Sequence, residues 1–123
     1  MIRENMAEIF QQHIFGIEFG KIMIEVKKEG VLLKKTKFGF ENEGVLNPAV
    51  IREGELIHVF YRAVRKGNYS SIGYCQLDSP MHVKERFDMP LLFPQHDFES
   101  QGLEDPRIVK IDDLFYLTYT AYD

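Results

Sequence analysis

The chain has 123 residues, 45% hydrophobic and 28% charged, which suits one small globular domain and leaves little room for two. A net charge of −4 argues against a nucleic-acid surface, and no apolar run approaches the roughly 20 residues of a membrane span. The single cysteine, Cys75, excludes an intrachain disulfide framework and fits a reducing cytoplasm.

From the N-terminus, Ile2, Met6, Ile9, Phe10, Ile14 and Ile17 mark one face of a short amphipathic helix, and residues 1–20 are expected to form a helical extension. Charged residues interrupt this stretch, so it does not read as a secretory signal. After Gly20 the texture changes to short runs rich in Val, Ile, Phe, Tyr and Thr, punctuated by Gly, Pro, Asn and Asp. The expected strands are Ile22–Val26, Val31–Lys34, Val45–Arg52, Leu56–Ala63, Tyr69–Leu77, Leu91–Phe93, Arg107–Ile111 and Phe115–Ala121. Hairpin turns are expected at Glu53-Gly54-Glu55 and at Asp112-Asp113. Residues 21–123 therefore read as all-β, with no βαβ alternation.

An internal repeat organises this half. The run from Asn47 to Ala63 aligns without gaps on Asp105 to Ala121, at a constant offset of 58. Pro48 meets Pro106, Leu56 meets Leu114, Tyr61 meets Tyr119 and Ala63 meets Ala121. Three or four short strands per unit fit a β-propeller blade, because blades bury one another's faces around an axis. Such rings close with about four to eight blades. The chain holds about two such units, so it is expected to supply part of a ring rather than a closed one.

The repeat gives the polar residues a geometry. Asn47 and Asp105 share one repeat position, each before a proline, at the start of a first strand facing the axis. Proline restricts the residue before it, so both are expected in extended backbone. Two such residues in register favour convergence on one funnel over simple turn capping. Glu104-Asp105-Pro106-Arg107 sets two carboxylates beside a guanidinium, enough to separate an acid from an ionised neighbour or merely to form a surface ion pair. Arg62 sits in an apolar strand and needs either a partner or the strand's wet end. Tyr69 to Tyr74 places small residues where backbone or ligand can approach closely, or where a glycine bulge interrupts a plain strand. There is no Walker A loop, GxGxxG, CxxC or HExxH, and the four histidines show no ligand spacing, so neither a metal nor an organic cofactor is expected.

These residues carry a resemblance. Glu41 to Ile51, Tyr61-Arg62-Ala63, Ser71 to Tyr74, Gln101 to Ile108 and Tyr116 to Tyr122 resemble, in consistent order, the motifs of glycoside hydrolase family 130 over about residues 25–123. The resemblance implies the first two or so blades of a five-bladed β-propeller that acts on β-mannosides. It implies an inverting phosphorylase releasing α-mannose 1-phosphate, with inorganic phosphate as co-substrate and a β-mannoside oligosaccharide as the other partner. It identifies Asp105 with the general acid, and Asn47, Arg62, Ser71, Glu104 and Arg107 with substrate-binding positions. The family's phosphate-binding basic residues belong to later blades. Extensions at the N-terminus mediate oligomer contacts in some relatives, so a homo-oligomer is among the expectations. The alternatives are a β-mannosidase that uses water, and a catalytically silent binding or assembly module.

Overall fold

The computed structural model describes residues 26–123, and the chain divides into two compact units, residues 1–30 and 31–123. The helical extension expected over residues 1–20 and nearly all of the strand expected at Ile22–Val26 lie outside the described residues. Of the first unit, residues 26–30 have no regular structure, and Lys27 Nζ stands 2.8 Å from Glu29 Oε1.

The second unit is all-β. Strands β1 (Gly44–Glu53), β2 (Leu56–Arg65), β3 (Tyr69–Ser79) and β4 (His82–Arg86) pair in succession as an antiparallel meander. Strands β5 (Gly102–Ile111) and β6 (Leu114–Tyr122) form a second antiparallel hairpin. One parallel bridge, Ser70 to Gly102, joins the two groups, and β5 lies beside β1. The pattern is one complete four-stranded blade followed by the first two strands of the next.

Alternation along β2 explains how the first blade is held. Ile57, Val59, Tyr61 and Ala63 turn to one face and pack with Cys75 and Leu77 of β3, bordered by Leu32, Leu33, Phe40, Val45 and Val83. His58 and Phe60 turn to the other face. With Ile51, Ile108 and Phe115 they line an apolar cleft of about 300 Å³ between the blades. Lys110 closes that cleft: its Nζ lies 3.0 Å from Glu53 Oε1 and 5.1 Å from the Phe115 ring centroid.

Four expectations change. Val31–Lys34 joins no ladder, and Leu32 and Leu33 instead pack against the core as side chains only. Leu91–Phe93 reduces to one bridge between Leu92 and Ile72. Strand β4 was not expected. Gly73 makes no bulge, because the β2–β3 register runs unbroken from Ile57/Leu77 to Arg65/Tyr69. Its lack of a side chain serves the Tyr61 ring opposite: a Cβ at position 73 would stand 2.3 Å from Tyr61 Cε2.

The repeat is exact in the backbone and extends further upstream than residue 47. Strands β1 and β5 start at Gly44 and Gly102, and β2 and β6 start at Leu56 and Leu114, all at the offset of 58. Single 3-10 turns, Gly39–Glu41 and Asp97–Glu99, precede them at the same offset. Each turn ends in a buried glutamate, and each glutamate accepts a 2.9 Å hydrogen bond from the tyrosine of the following hairpin, Tyr61 to Glu41 and Tyr119 to Glu99. Glu41 also accepts from Thr36 Oγ1 at 2.7 Å and from Arg86 Nη2 at 2.8 Å, while Arg86 Nε donates to the Tyr61 oxygen at 3.1 Å. Burial pushes the Tyr61 phenol well above its ordinary range, so it stays a neutral donor. Burial alone would lower Arg86, but its bonds to Tyr61 and Glu41 outweigh that and raise it. Glu99 is lowered from its ordinary value near 4.5, first by the Gln95 N–H and then by the Tyr119 hydroxyl and the His96 N–H, against the opposing effect of burial.

Two outcomes are expected. Glu41→Ala strands a guanidinium that is only 18% exposed and should cost about 3 kcal/mol in a denaturant titration, the lower end for breaking a buried pair. Because Glu99 has a depressed folded-state value, its contribution to stability is present above about pH 4.5 and is lost as pH falls through that depressed value. Glu99→Gln should therefore flatten the acid limb of a stability-versus-pH curve, and an unaltered limb would contradict this.

Candidate active site

Asn47 and Asp105 are not in extended backbone. Their φ angles are 47° and 48°, in the left-handed region. The ladder explains the departure. Register slips between Leu46 and Ala49 in β1 and between Glu104 and Arg107 in β5, so each Asx-Pro pair forms a bulge without ladder partners. Proline has no N–H to give a ladder, and a bulge accommodates it. Asn and Asp are the side-chain-bearing residues that best tolerate positive φ. The bulges turn both side chains out of the strand alternation and toward each other: Asn47 Nδ2 donates to Asp105 Oδ1 at 2.5 Å.

Arg62 completes the cluster. It lies on β2 opposite Leu46, so its side chain rises beside the β1 bulge. Its Nη2 pairs with Glu104 Oε1 at 2.5 Å, its Nη1 stands 4.0 Å from Asp105 Oδ1, and its Nε donates to Ser70 Oγ at 2.9 Å. Position 62 in the first unit corresponds to Thr120 in the second, and Glu104 corresponds to Leu46. The ion pair therefore crosses between units, with the cation from one and the carboxylate from the other.

The two carboxylates are left in different conditions. Glu104 is 19% exposed and tied into the guanidinium fork, while Asp105 is 40% exposed and holds only the Asn47 amide closely. Asp105 is thus the more accessible carboxyl group of the two. Arg62 holds Glu104 through Nη2 and Ser70 through Nε, and so positions the pair.

Asn47, Arg62, Glu104 and Asp105 come together in the structure. Arg107 does not join them: it is exposed and its Nη1 donates to the Pro106 carbonyl at 2.8 Å, so the partner of Glu104 is Arg62 and not its near neighbour in sequence. Ser71 is buried on the Tyr61 side of β3, opposite Ala63, away from the cluster. The serine that contacts Arg62 is Ser70, which the sequence reading missed. The signal was in the register, since Ser70 pairs with Val64 and so sits diagonal to Arg62 on the same face. Gly102, at φ 147°, presses against that serine: a Cβ there would lie 2.7 Å from the Ser70 nitrogen. Among the described residues, no three His, Cys, Asp or Glu side chains are grouped to hold a metal.

The profile of a family described as beta-1,4-mannooligosaccharide phosphorylase matches residues 17–123. The chain is 41% identical over 96 residues to a beta-1,2-mannobiose phosphorylase of Thermoanaerobacter sp. (strain X514), covering 68% of this chain and 32% of that protein. It is 36% identical over 110 residues to a 1,2-beta-oligomannan phosphorylase of the same organism, covering 81% of this chain and 37% of that protein. The chain thus spans about a third of the length of these curated relatives. A solved structure superposes with a TM-score of 0.61 at 27% identity, over 76% of this chain and 31% of that one. It is described under the GH130 family of mannoside phosphorylases, which contains glycoside hydrolases that target beta-1,2 mannosidic linkages in Candida mannan. The all-β unit is accordingly part of a five-bladed propeller.

Replacing Arg62 by Lys puts one compact ammonium where a fork served Glu104 and Ser70 together. We expect Arg62→Lys to destabilise the fold by about 1–3 kcal/mol in urea, through the polar groups it leaves unpaired. A change smaller than measurement error would show that the cross-unit pair holds nothing.

Proposed function

Because the chain belongs to glycoside hydrolase family 130, the family of beta-1,4-mannooligosaccharide phosphorylases, we propose that the intact natural protein cleaves β-mannosides by phosphorolysis, with Asp105 as general acid. The observation that carries the reading is the convergence of Asn47 and Asp105, one repeat apart, on a single accessible carboxyl group beside the Arg62 guanidinium. The descriptions of both curated relatives support β-1,2 linkages as the substrate class.

In this reading the terminal mannose sits over the bulges, with Asn47 and Arg62 orienting it and Asp105. The Asp105 proton passes by way of a sugar hydroxyl to the glycosidic oxygen, as in the family mechanism that the motifs resemble. The bond from that oxygen to the anomeric carbon breaks while a phosphate oxygen bonds to the carbon from the opposite face. The β-linkage becomes an α-phosphate, the shortened saccharide leaves with the proton, and solvent restores Asp105. Phosphate is already a nucleophile, so no second carboxylate has to activate water. Glu104, spent on Arg62, is consistent with that economy.

The decisive experiment compares the intact protein with its Asp105→Asn variant on β-1,2-mannobiose, with and without inorganic phosphate. The expected result is phosphate-dependent release of α-mannose 1-phosphate, reduced about 10²–10⁴-fold in the variant with the fold retained. Free mannose formed equally without phosphate would assign the reaction to water. Near-normal turnover by Asp105→Asn would remove the acid assignment.

A further inference from the structure

We infer that Ser70 is a positioning residue for the reaction: its hydroxyl, held at the junction of the two repeat units, fixes the plane of the Arg62 guanidinium beside Asp105. The inference rests on the β-mannoside reading above and extends it to a residue that acts through Arg62.

The grip on Ser70 is the first argument. The residue is 3% exposed. On one side it pairs with Val64 of β2, and on the other it makes the parallel bridge to Gly102 of β5. Its N–H donates to the Gln101 carbonyl at 3.3 Å, and the Gln101 N–H donates in turn to the Tyr122 carbonyl of β6 at 2.9 Å. Gly102 closes the grip: a Cβ there would lie 2.7 Å from the Ser70 nitrogen and 2.8 Å from its Cβ and its carbonyl oxygen. Main chain from both units therefore holds the residue that carries this hydroxyl.

The needs of a guanidinium are the second argument. A planar fork tethered at one nitrogen still turns about that tether, whereas tethers at two nitrogens define its plane. Glu104 takes Nη2, and Ser70 takes Nε at 2.9 Å. The remaining nitrogen, Nη1, then stands 4.0 Å from Asp105 Oδ1, beyond hydrogen-bond length. Nη1 is thus the edge turned to Asp105, where a sugar hydroxyl would bridge the two. The tethers differ in stiffness. Glu104 reaches Arg62 on a longer side chain, while Ser70 does so through a single torsion on a clamped backbone.

The absence of an equivalent acceptor on β3 is the third argument. Directly opposite Arg62 stands Ile72, which has no polar side-chain atom. Its two neighbours on that face are Ser70 and Tyr74, and the Tyr74 hydroxyl is engaged with His58 Nδ1 at 2.8 Å. Ser70 is the acceptor that this strand offers to Nε.

The test uses the intact protein on β-1,2-mannobiose and inorganic phosphate, with Ser70→Ala, Arg62→Lys and the double variant. Ser70→Ala should lower kcat/KM for the saccharide about tenfold and leave the KM for phosphate within about twofold. In the Arg62→Lys background, where Nε is gone, the same change should cost less than about twofold. A tenfold loss in both backgrounds would show a hydroxyl that acts independently of Arg62, and would overturn the inference. Unaltered kinetic constants would overturn it too, and a lower melting temperature beside them would mark a serine that only supports the fold. Should the wild type not cleave the saccharide, the reaction proposed above fails, and NMR of the Arg62 side-chain Nε–H decides the clamp separately. A protected wild-type signal that Ser70→Ala abolishes upholds the clamp, while a signal absent from the wild type or unaltered in the variant removes it.

Discussion

A carboxylate removed from water is tolerable only when its lone pairs are used, and each unit of this fold is built on one that is. Glu41 and Glu99 close a short turn onto the tyrosine of the next hairpin, so the turn, the first strand and the second strand are locked in one register. That lock fixes where the first strand begins, three residues after the glutamate in both units. It thereby fixes where the Asx-Pro bulge falls. The polar side chains at the axis owe their direction to a hydrogen bond on the far side of the strand. The tyrosine in turn demands Gly73 across β3, because only an absent side chain leaves room for its ring. One buried acid thus dictates a turn, a ring and a glycine.

The polar cluster arises from the way the two units differ. The backbone repeats with its bulges, turns and clasps intact, while the side chains at corresponding positions diverge: Asn47 against Asp105, Leu46 against Glu104, Arg62 against Thr120. Neither unit alone holds the Arg62–Glu104 pair or the Asn47–Asp105 bond. Set side by side, the first contributes an amide and a guanidinium, and the second contributes two carboxyl groups. The guanidinium takes one carboxylate out of play and leaves the other open, which is how neighbouring acids in sequence acquire separate roles.

Much of this was legible in the residues. The period-2 texture, the hairpin turns and the offset of 58 sufficed for the all-β class and for bringing Asn47 and Asp105 together. Three things were hidden for identifiable reasons. The clasp escaped because its upstream signal is only Phe40, Glu41 and Gly44 against Phe98, Glu99 and Gly102, three identities in a short stretch where no periodicity helps. The left-handed Asx residues escaped because the local rule for a residue before proline was overridden by a ladder that had to place two unpaired residues. The choice between Ser70 and Ser71 depended on register, and a slip of one residue exchanges the faces of a strand. Strand β4 escaped because His82–Arg86 is short and largely polar, and is tied in by the Arg86 network as well as by its ladder to β3.

The single main-chain bridge between Ser70 and Gly102 lies at the same end of the blades as the Arg62–Glu104 pair. The opposite end is held by an apolar cleft and the exposed Lys110–Glu53 pair, both softer than a bridge pressed against a glycine. The bridged end is therefore the pivot. A rocking of one blade against its neighbour swings the far end through the larger arc and displaces the clustered polar groups least. Thermal breathing is thereby directed away from the distances among Asn47, Arg62, Glu104 and Asp105, without any extra bracing around the carboxyl groups.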